Sequence, residues 1–308
     1  MTRPASKVVL MDKKDIIGLF LKNGIMLSPE EFEAVDEKNY MQLLKKMTGE
    51  KNNDDIEIAA PRSGRISCDQ FIKICSDKFE FLKSEILKKT EAVSINKGKK
   101  LFAEATIVGR VKEATSGGFI IEDITGETEV VTENRDANIG DVVGLKGFFR
   151  DNRFFPNQVI WPDIPLDNHP RPFGSRIILA AKITEGMSGL IVCPGPDTET
   201  GKHSNVLTGF SKYGTVKISR HQSMFTVIAY NPPDEIREDT AVKILKKRTI
   251  ADESIVDNAI TEVPGILWLF GNKRDWVKNY RGVLIISTSD GSFAEYDGGE
   301  VTFGSLSV

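Results

Sequence analysis

The run AEATIVGRV at residues 103–111, followed by GGFIIEDITGETEVV at 117–131, decides the fold of the middle of this chain. Ala103, Ala105, Ile107 and Gly109 recur at a period of two, the spacing of a strand with one face turned inward. Phe119–Ile124 gives a second strand and Thr128–Val131 a third, with Thr125-Gly126 between them as a tight-turn signal. After Ile139-Gly140-Asp141 come Val142–Arg150, a turn at Asp151-Asn152, and Phe154–Trp161. Five short strands joined by tight turns predict a small closed barrel of the OB type over residues 99–165.

Toward the N-terminus the period changes to that of helices. Ile16, Ile17, Phe20 and Leu21 fall on one helical face, and Asn23-Gly24 is suited to end it. Ser28-Pro29-Glu30-Glu31 starts a second helix with a capping box, and a third runs from Asn39 to Met47. These predict a helical domain at 1–47. The polar stretch TGEKNNDDIEIAAPRSGRIS reads as a flexible linker over 48–68, and a helical connector at 69–98 leads into the barrel.

Beyond the barrel, Trp161-Pro162-Asp163-Ile164-Pro165 and His169-Pro170-Arg171-Pro172 form a proline-stiffened exit. Strands are predicted at Arg176–Ile183, Gly189–Cys193, Thr215–Ile218, Met224–Tyr230, Ile266–Phe270 and Val283–Ser287, and a helix at Thr240–Arg248. An α/β layered domain over 166–308 is the natural reading, which makes the whole chain a multidomain α+β protein.

Composition narrows the function classes. Charged residues make up 28% and the net charge is −3, with 22 Lys/Arg against 28 Asp/Glu in residues 101–308. A strongly basic nucleic-acid binder is excluded; any DNA contact needs a local patch or a partner that supplies positive charge. Cys68, Cys75 and Cys193 form neither a CxxC pair nor an even disulfide set, which suits a reducing, intracellular setting. No apolar run approaches the roughly 20 residues of a membrane span, and the start of the chain lacks a signal-peptide core. GxSxG, P-loop and GxGxxG motifs are absent.

The chain resembles the small subunit of the archaeal family D DNA polymerase, a relative of the B subunits of eukaryotic replicative polymerases. The anchors are Phe81-Leu82-Lys83 leading to Ser94-Ile95, then Ala105–Val111 and Trp161–Pro165. Later come the helix Ala241–Arg248, Glu262-Val263-Pro264, and Tyr280-Arg281-Gly282-Val283-Leu284. The resemblance implies an OB barrel followed by a calcineurin-like phosphoesterase domain, which in intact members is a 3′–5′ exonuclease. That chemistry needs two divalent metals about 3.5–4 Å apart, held by carboxylate and imidazole donors.

Followed position by position, the resemblance implies a degenerate, truncated site. Lys182-Ile183-Thr184 stands where the family has Asp-x-His, so Lys182 and Thr184 replace two donors. The next motif, Gly-Asp, has no counterpart. Pro194-Gly195-Pro196-Asp197-Thr198 replaces Gly-Asn-His-Asp, so Pro196, Asp197 and Thr198 leave one carboxylate out of register. Asn231 follows Tyr230 where a His is expected, and Gly271-Asn272-Lys273-Arg274 replaces Gly-His-x-His. A lysine or arginine pointed at a cation site repels what it should hold. The expectations are therefore no catalytic residues, no metal and no cofactor.

Other features have a bland reading beside the functional one. His169, His203 and His221 are the only histidines, and scattered surface positions account for them better than a shared metal site. Lys243, Lys246, Lys247 and Arg248 form either a solvated helix face or a contact for DNA or a partner, and Lys273 with Arg274 has the same two readings. On the barrel, Phe119, Phe148, Phe149, Phe154 and Phe155 are claimed mainly by the core. Phe149 with Arg150 and Arg153 is the grouping most like a base-stacking surface.

The expected function is a non-catalytic subunit that docks the large catalytic subunit of the polymerase in DNA replication. It would meet DNA through that complex, in the archaeal cytoplasm and not at a membrane. One alternative is a free-standing single-stranded DNA-binding protein that uses the barrel. Another is a residual exonuclease rebuilt on Asp197, Glu199 and Asp290.

Overall fold

The computed structural model describes residues 67–166, 176–183, 189–195, 210–220, 223–250 and 258–306, a strand at Asp55–Ala59, Val206–Leu207, and the single positions Ile17, Val35, Asn168, Phe173 and Met187. It divides into two compact units, Met1–Asp55 and Ile56–Val308. Apart from Ile17 and Val35, the helical domain predicted at 1–47 lies outside the described residues. Strand β1, Asp55–Ala59, falls inside the stretch predicted to be a linker and is an edge of the larger sheet described below.

Helix α1, Cys68–Leu87, begins at a reciprocal capping box: Ser67 Oγ accepts from Gln70 N at 3.2 Å and Gln70 Oε1 from Ser67 N at 3.1 Å. Its C-terminal half buries Leu82 and Ile86 against Val108 and Val142 of the barrel. Its first turns leave Phe71 and Ile72 exposed. The single turn α2, Ile95–Gly98, puts Ile95 into the barrel core.

The barrel closes from β2 (Ala105–Thr115), β3 (Gly118–Asp123), β4 (Gly126–Val131), β5 (Val142–Arg150) and β6 (Arg153–Ile160) in the order β2-β3-β4-β6-β5. Neighbours run antiparallel except β4 and β6, which are parallel. Ile107, Val111, Ile121, Val130, Val143, Leu145 and Phe154 fill the interior. Asp151 and Asn152 both take positive φ, 50° and 60°, as a two-residue hairpin turn between β5 and β6 requires.

Asp123 ties the β3–β4 turn to α2. Its Oδ1 accepts from Thr125 Oγ1, Thr125 N and Gly126 N, and its Oδ2 from Ile95 N at 2.9 Å. Burial would raise its pKa, but these four donors together outweigh burial and hold the carboxyl below its ordinary 3.8. A carboxylate with a depressed pKa contributes stability above the unfolded-state value and loses it as pH falls through the folded-state value. Asp123→Asn is therefore expected to lose about 1–2 kcal/mol at neutral pH. Denaturant titrations should show the gap to wild type closing below pH 3.8; a gap constant down to strong acid would refute the ionic account.

The remainder of the second unit is two sheets packed face to face. Strands β10 (Tyr213–Arg220), β11 (Ser223–Tyr230), β12 (Ile266–Asn272), β13 (Trp276–Tyr280) and β14 (Val283–Ser289) join β1 in the order β1-β10-β11-β12-β14-β13. The second sheet runs β16-β15-β7-β8-β9, from β7 (Ile177–Ala180), β8 (Leu190–Val192), β9 (Val206–Leu207), β15 (Ser292–Asp297) and β16 (Glu300–Ser305). Each sheet contains a parallel run, β11, β12 and β14 in one and β7, β8 and β9 in the other.

The layer between the sheets takes alternate residues of each strand, among them Val227, Ala229, Ile266, Trp268, Phe270 and Ile286 from one sheet and Ile177, Leu179 and Val192 from the other. The opposite phase of the larger sheet, Ile228, Leu267, Leu269 and Ile285, packs against helix α3, Glu238–Lys247, through Ala241, Ile244 and Leu245. Burial on both faces is why β12 reads as an unbroken apolar run. The predicted α/β domain is thus mainly β, with α3 its one described helix. Of the additional strands, the two-residue β9 pairs in parallel with β8, and β13, β15 and β16 belong to hairpins. Arg281-Gly282 and Gly298-Gly299 make their turns, all four at positive φ.

Candidate functional site

The proline-stiffened exit carries the chain from β6 into the sandwich, and a set of charged side chains gathers there. Ile164 is fully buried against the α3 face. Asp163, at φ 52°, pairs with Arg281 at 2.9 Å and accepts from Tyr280 Oη at 2.8 Å, while Arg281 also donates to Ile164 O. Burial, then the bond to Asp163 and its charge, push the Tyr280 hydroxyl up to about 12. Lys89 donates to the carbonyls of Trp161 and Pro162, and burial lowers its pKa against the pull of Asp163.

The basic helix α3 belongs to the same junction, and burial removes Lys247 and Arg248 from a solvated face. Lys247 is buried, pairs with Asp141 of the barrel at 2.6 Å and lies 5.2 Å from the Trp161 ring centroid. Arg248 is 2% exposed and takes the left-handed conformation that ends the helix. Its guanidinium pairs with Glu85 of α1 at 2.9 Å, donates to Ile260 O and Thr261 O, and lies over the Phe81 ring. Lys243 reaches Asp136 of the barrel at 2.6 Å, with both side chains half exposed. Lys246 is half-buried and lines a cleft of about 450 Å³ with Lys88, Lys89, Trp161, Leu166 and Arg281. Three of the four cations of the helix thus bind the barrel side of the molecule to the sandwich. The sequence carried a signal for this: the buried stripe Ala241, Ile244, Leu245 continues onto position 248 at the same spacing.

On the barrel wall the phase of the aromatics is opposite to the one expected. Phe149 turns inward, with its ring 4.8 Å from Phe154 and its edge beneath Gly98 of α2. The outward rings are Phe148 and Phe155, directly across from each other, beside the exposed Arg150 and Arg153. The core claims Phe149 because Gly98 leaves room for it.

Of the positions matched to the phosphoesterase motifs, the described ones, Lys182, Asn231, Asn272 and Arg274, lie at or within two residues of strand ends of the sandwich. Lys182 follows β7 and is exposed. Thr184, Pro196, Asp197, Thr198 and Glu199 lie outside the described residues, as do His169, His203 and His221. Asn231 follows β11, donates its N–H to Lys212 O at 2.7 Å, and sets its side chain against Gly271, where a Cβ would lie 2.8 Å from Asn231 Oδ1. Asp290 is exposed in the turn between β14 and β15.

Asn272, at the end of β12, is buried and fully engaged. Its Nδ2 donates to Ile236 O and to Ser287 Oγ, both at 2.9 Å, and its Oδ1 accepts from Ile236 N at 3.1 Å. It fastens the loop ahead of α3 to β12 and β14. Lys273 is exposed and 3.8 Å from Glu235; Arg274 is exposed, and its carbonyl accepts from Ser287 Oγ. Among the described residues no three His, Cys, Asp or Glu side chains group as metal donors. No helix there is long and apolar enough to cross a membrane.

No family model matches the chain. It is 20% identical over 171 residues to the DNA polymerase II small subunit of Archaeoglobus fulgidus, covering 51% of this chain and 34% of that protein. It is 25% identical over 197 residues to the DNA polymerase II small subunit of Thermoplasma acidophilum, covering 52% of this chain and 40% of that protein. The alignments span less than half the length of either relative, and over about half of its own length this chain is similar to DNA polymerase II small subunits.

Proposed function

We propose that the chain is a non-catalytic accessory subunit of a DNA polymerase, in which an OB-type barrel and a degenerate calcineurin-like phosphoesterase domain together dock a large catalytic subunit. The similarity to two DNA polymerase II small subunits supports the class. The barrel order, with its third and fifth strands parallel, suits the OB assignment. Two facing mixed sheets with a helix on one outer face suit a reduced phosphoesterase scaffold.

The observation that carries the reading is Asn272. Where a metal-binding domain of this kind needs an imidazole with a free nitrogen, this chain has an amide whose donors and acceptor are already bonded within the protein. Lys182, Lys273 and Arg274 add positive charge at the strand ends, which opposes a pair of divalent cations. The described strands are packed on both faces (β11, β12 and β14), which suits a domain kept for contact. The junction of Glu85, Asp141, Asp163, Lys247, Arg248 and Arg281 would fix the angle between barrel and sandwich, so that both present one surface to the partner.

Co-expression with the large subunit encoded in the same genome tests the assignment. A tag on the large subunit is expected to retain this chain through affinity and size-exclusion steps, and separate elution would remove the reading. The chain alone is expected to leave 3′-ended DNA intact with Mn²⁺. Degradation that EDTA abolishes would favour the exonuclease instead.

A further inference from the structure

The tip of the β5–β6 hairpin carries four outward side chains that the accessory-subunit reading does not use. Phe148 stands opposite Phe155, and Arg150 opposite Arg153. The two rings are 49% and 37% exposed. Both arginines are exposed and, among the described residues, form no ion pair. Like charges facing each other across a hairpin oppose its closure, so this pair works against the fold and finds no compensating carboxylate in it. Glu129 is in register with Arg153 across the β4–β6 pair, yet the two form no ion pair.

On its β5 side the hairpin extends past its neighbour β2, while β6 and the turn are held by β4. Strand β2 pairs with β5 only as far as Gly147, so Phe148–Arg150 project past it. The left-handed turn at Asp151-Asn152 keeps the two strands in register at the tip. On each strand the ring and the cation are two residues apart, about 7 Å, and on the same face, with the cation nearer the turn.

We propose that this hairpin tip binds single-stranded nucleic acid, with bases stacked on Phe148 and Phe155 and phosphates held by Arg150 and Arg153. Flat rings accept any base and guanidinium groups accept phosphate, and single-strand binders combine these two elements. The tip is also the loop between the fourth and fifth barrel strands, one of the places where barrels of this topology take oligonucleotides. A protein partner would be matched by a continuous apolar centre with a polar rim; here cations alternate with separate rings. On the adjoining wall Glu122 and Glu127 are already paired with Arg110 and Lys112 of β2, so they offer no counter-charge to Arg150 and Arg153. The inference goes beyond the polymerase reading and does not depend on it.

The test is fluorescence anisotropy of a labelled oligothymidylate with the full chain. Binding is expected at about 50 mM salt, weakening steeply toward about 200 mM, and the same-length duplex should bind less tightly. Phe148→Ala with Phe155→Ala is expected to weaken binding roughly tenfold to a hundredfold with the salt slope unchanged. Arg150→Ala with Arg153→Ala should weaken it and reduce the slope by about 1.4. All four side chains are outward, so both double variants should fold, the arginine pair melting at or slightly above wild type because a like-charge pair is removed, and circular dichroism checks this. Absent single-strand binding, equal affinity for duplex, or double variants that bind like wild type would overturn the proposal. So would a Phe148/Phe155 variant that loses the large subunit while binding the oligonucleotide normally.

Discussion

Replacing Arg248 by alanine is expected to lower the free energy of unfolding by about 3–5 kcal/mol, the range for breaking one side of a buried ion pair. The guanidinium is almost wholly enclosed and serves three elements at once: Glu85 and Phe81 of α1, the end of α3, and the carbonyls of Ile260 and Thr261. Its loss leaves those two carbonyls short of a donor and Glu85 paired with the exposed Lys88, at 2.5 Å. Two further variants separate charge from backbone. Arg248 holds φ at 51°, which a side chain tolerates poorly, so Arg248→Gly should recover about 1 kcal/mol relative to Arg248→Ala. Arg248→Met with Glu85→Gln removes both charges and should lose less than Arg248→Ala alone. Urea titration of the full chain reads all three. A loss below about 1 kcal/mol for the alanine variant would mean that the junction is held by apolar packing and that the ion pair is incidental.

The strength of that junction bears on how the sequence could be read. Central strands announce themselves: β11, β12 and β14 are buried on both faces, and their runs of apolar residues have no other account. The barrel was legible from its alternation and its turns, because each strand has one wet face. Strands β13, β15 and β16 were not, since they are edges or near-edges whose side chains mix polar with apolar and whose identity comes from the neighbour they pair with. Strand β1 lies in the most polar stretch of the chain for the same reason.

The site residues divide in a similar way. Spacing placed Lys243, Lys246 and Lys247 on one helix face, but nothing local says that Asp136 and Asp141, about a hundred residues earlier, wait opposite two of them. Long-range charge pairing leaves no periodic trace. Alternation did establish that only one of Phe148 and Phe149 faces outward; which one depended on Gly98 of α2, a contact made across about fifty residues. At the strand ends, residue types alone carried the expectation about metal donors. The engagement of Asn272 with Ile236 and Ser287 is visible only in three dimensions.

Asn272 provides the sharper functional test, because the proposed loss of metal donors names a residue to introduce. Asn272→His is expected to destabilise the protein by about 2–4 kcal/mol and to confer no Mn²⁺-dependent cleavage of DNA. The amide makes two donations and one acceptance inside a nearly closed space; a neutral imidazole has one donor and one acceptor and is larger. At least one of Ile236 N, Ile236 O and Ser287 Oγ then loses its partner, and the loop ahead of α3 loosens. Asn272→Asp should be worse at neutral pH, since it turns a buried carboxylate toward the Ile236 carbonyl, and its deficit should shrink as acid neutralises it. Thermal melts and a nuclease assay on the same samples decide between two histories for this strand end. If Asn272→His melts like wild type and gains metal-dependent cleavage, the remaining donors were still in place and the asparagine alone silenced them. If it melts early and stays inert, the asparagine is part of the joint that holds α3 to the sheet, and a single metal ligand cannot be introduced there without taking that joint apart.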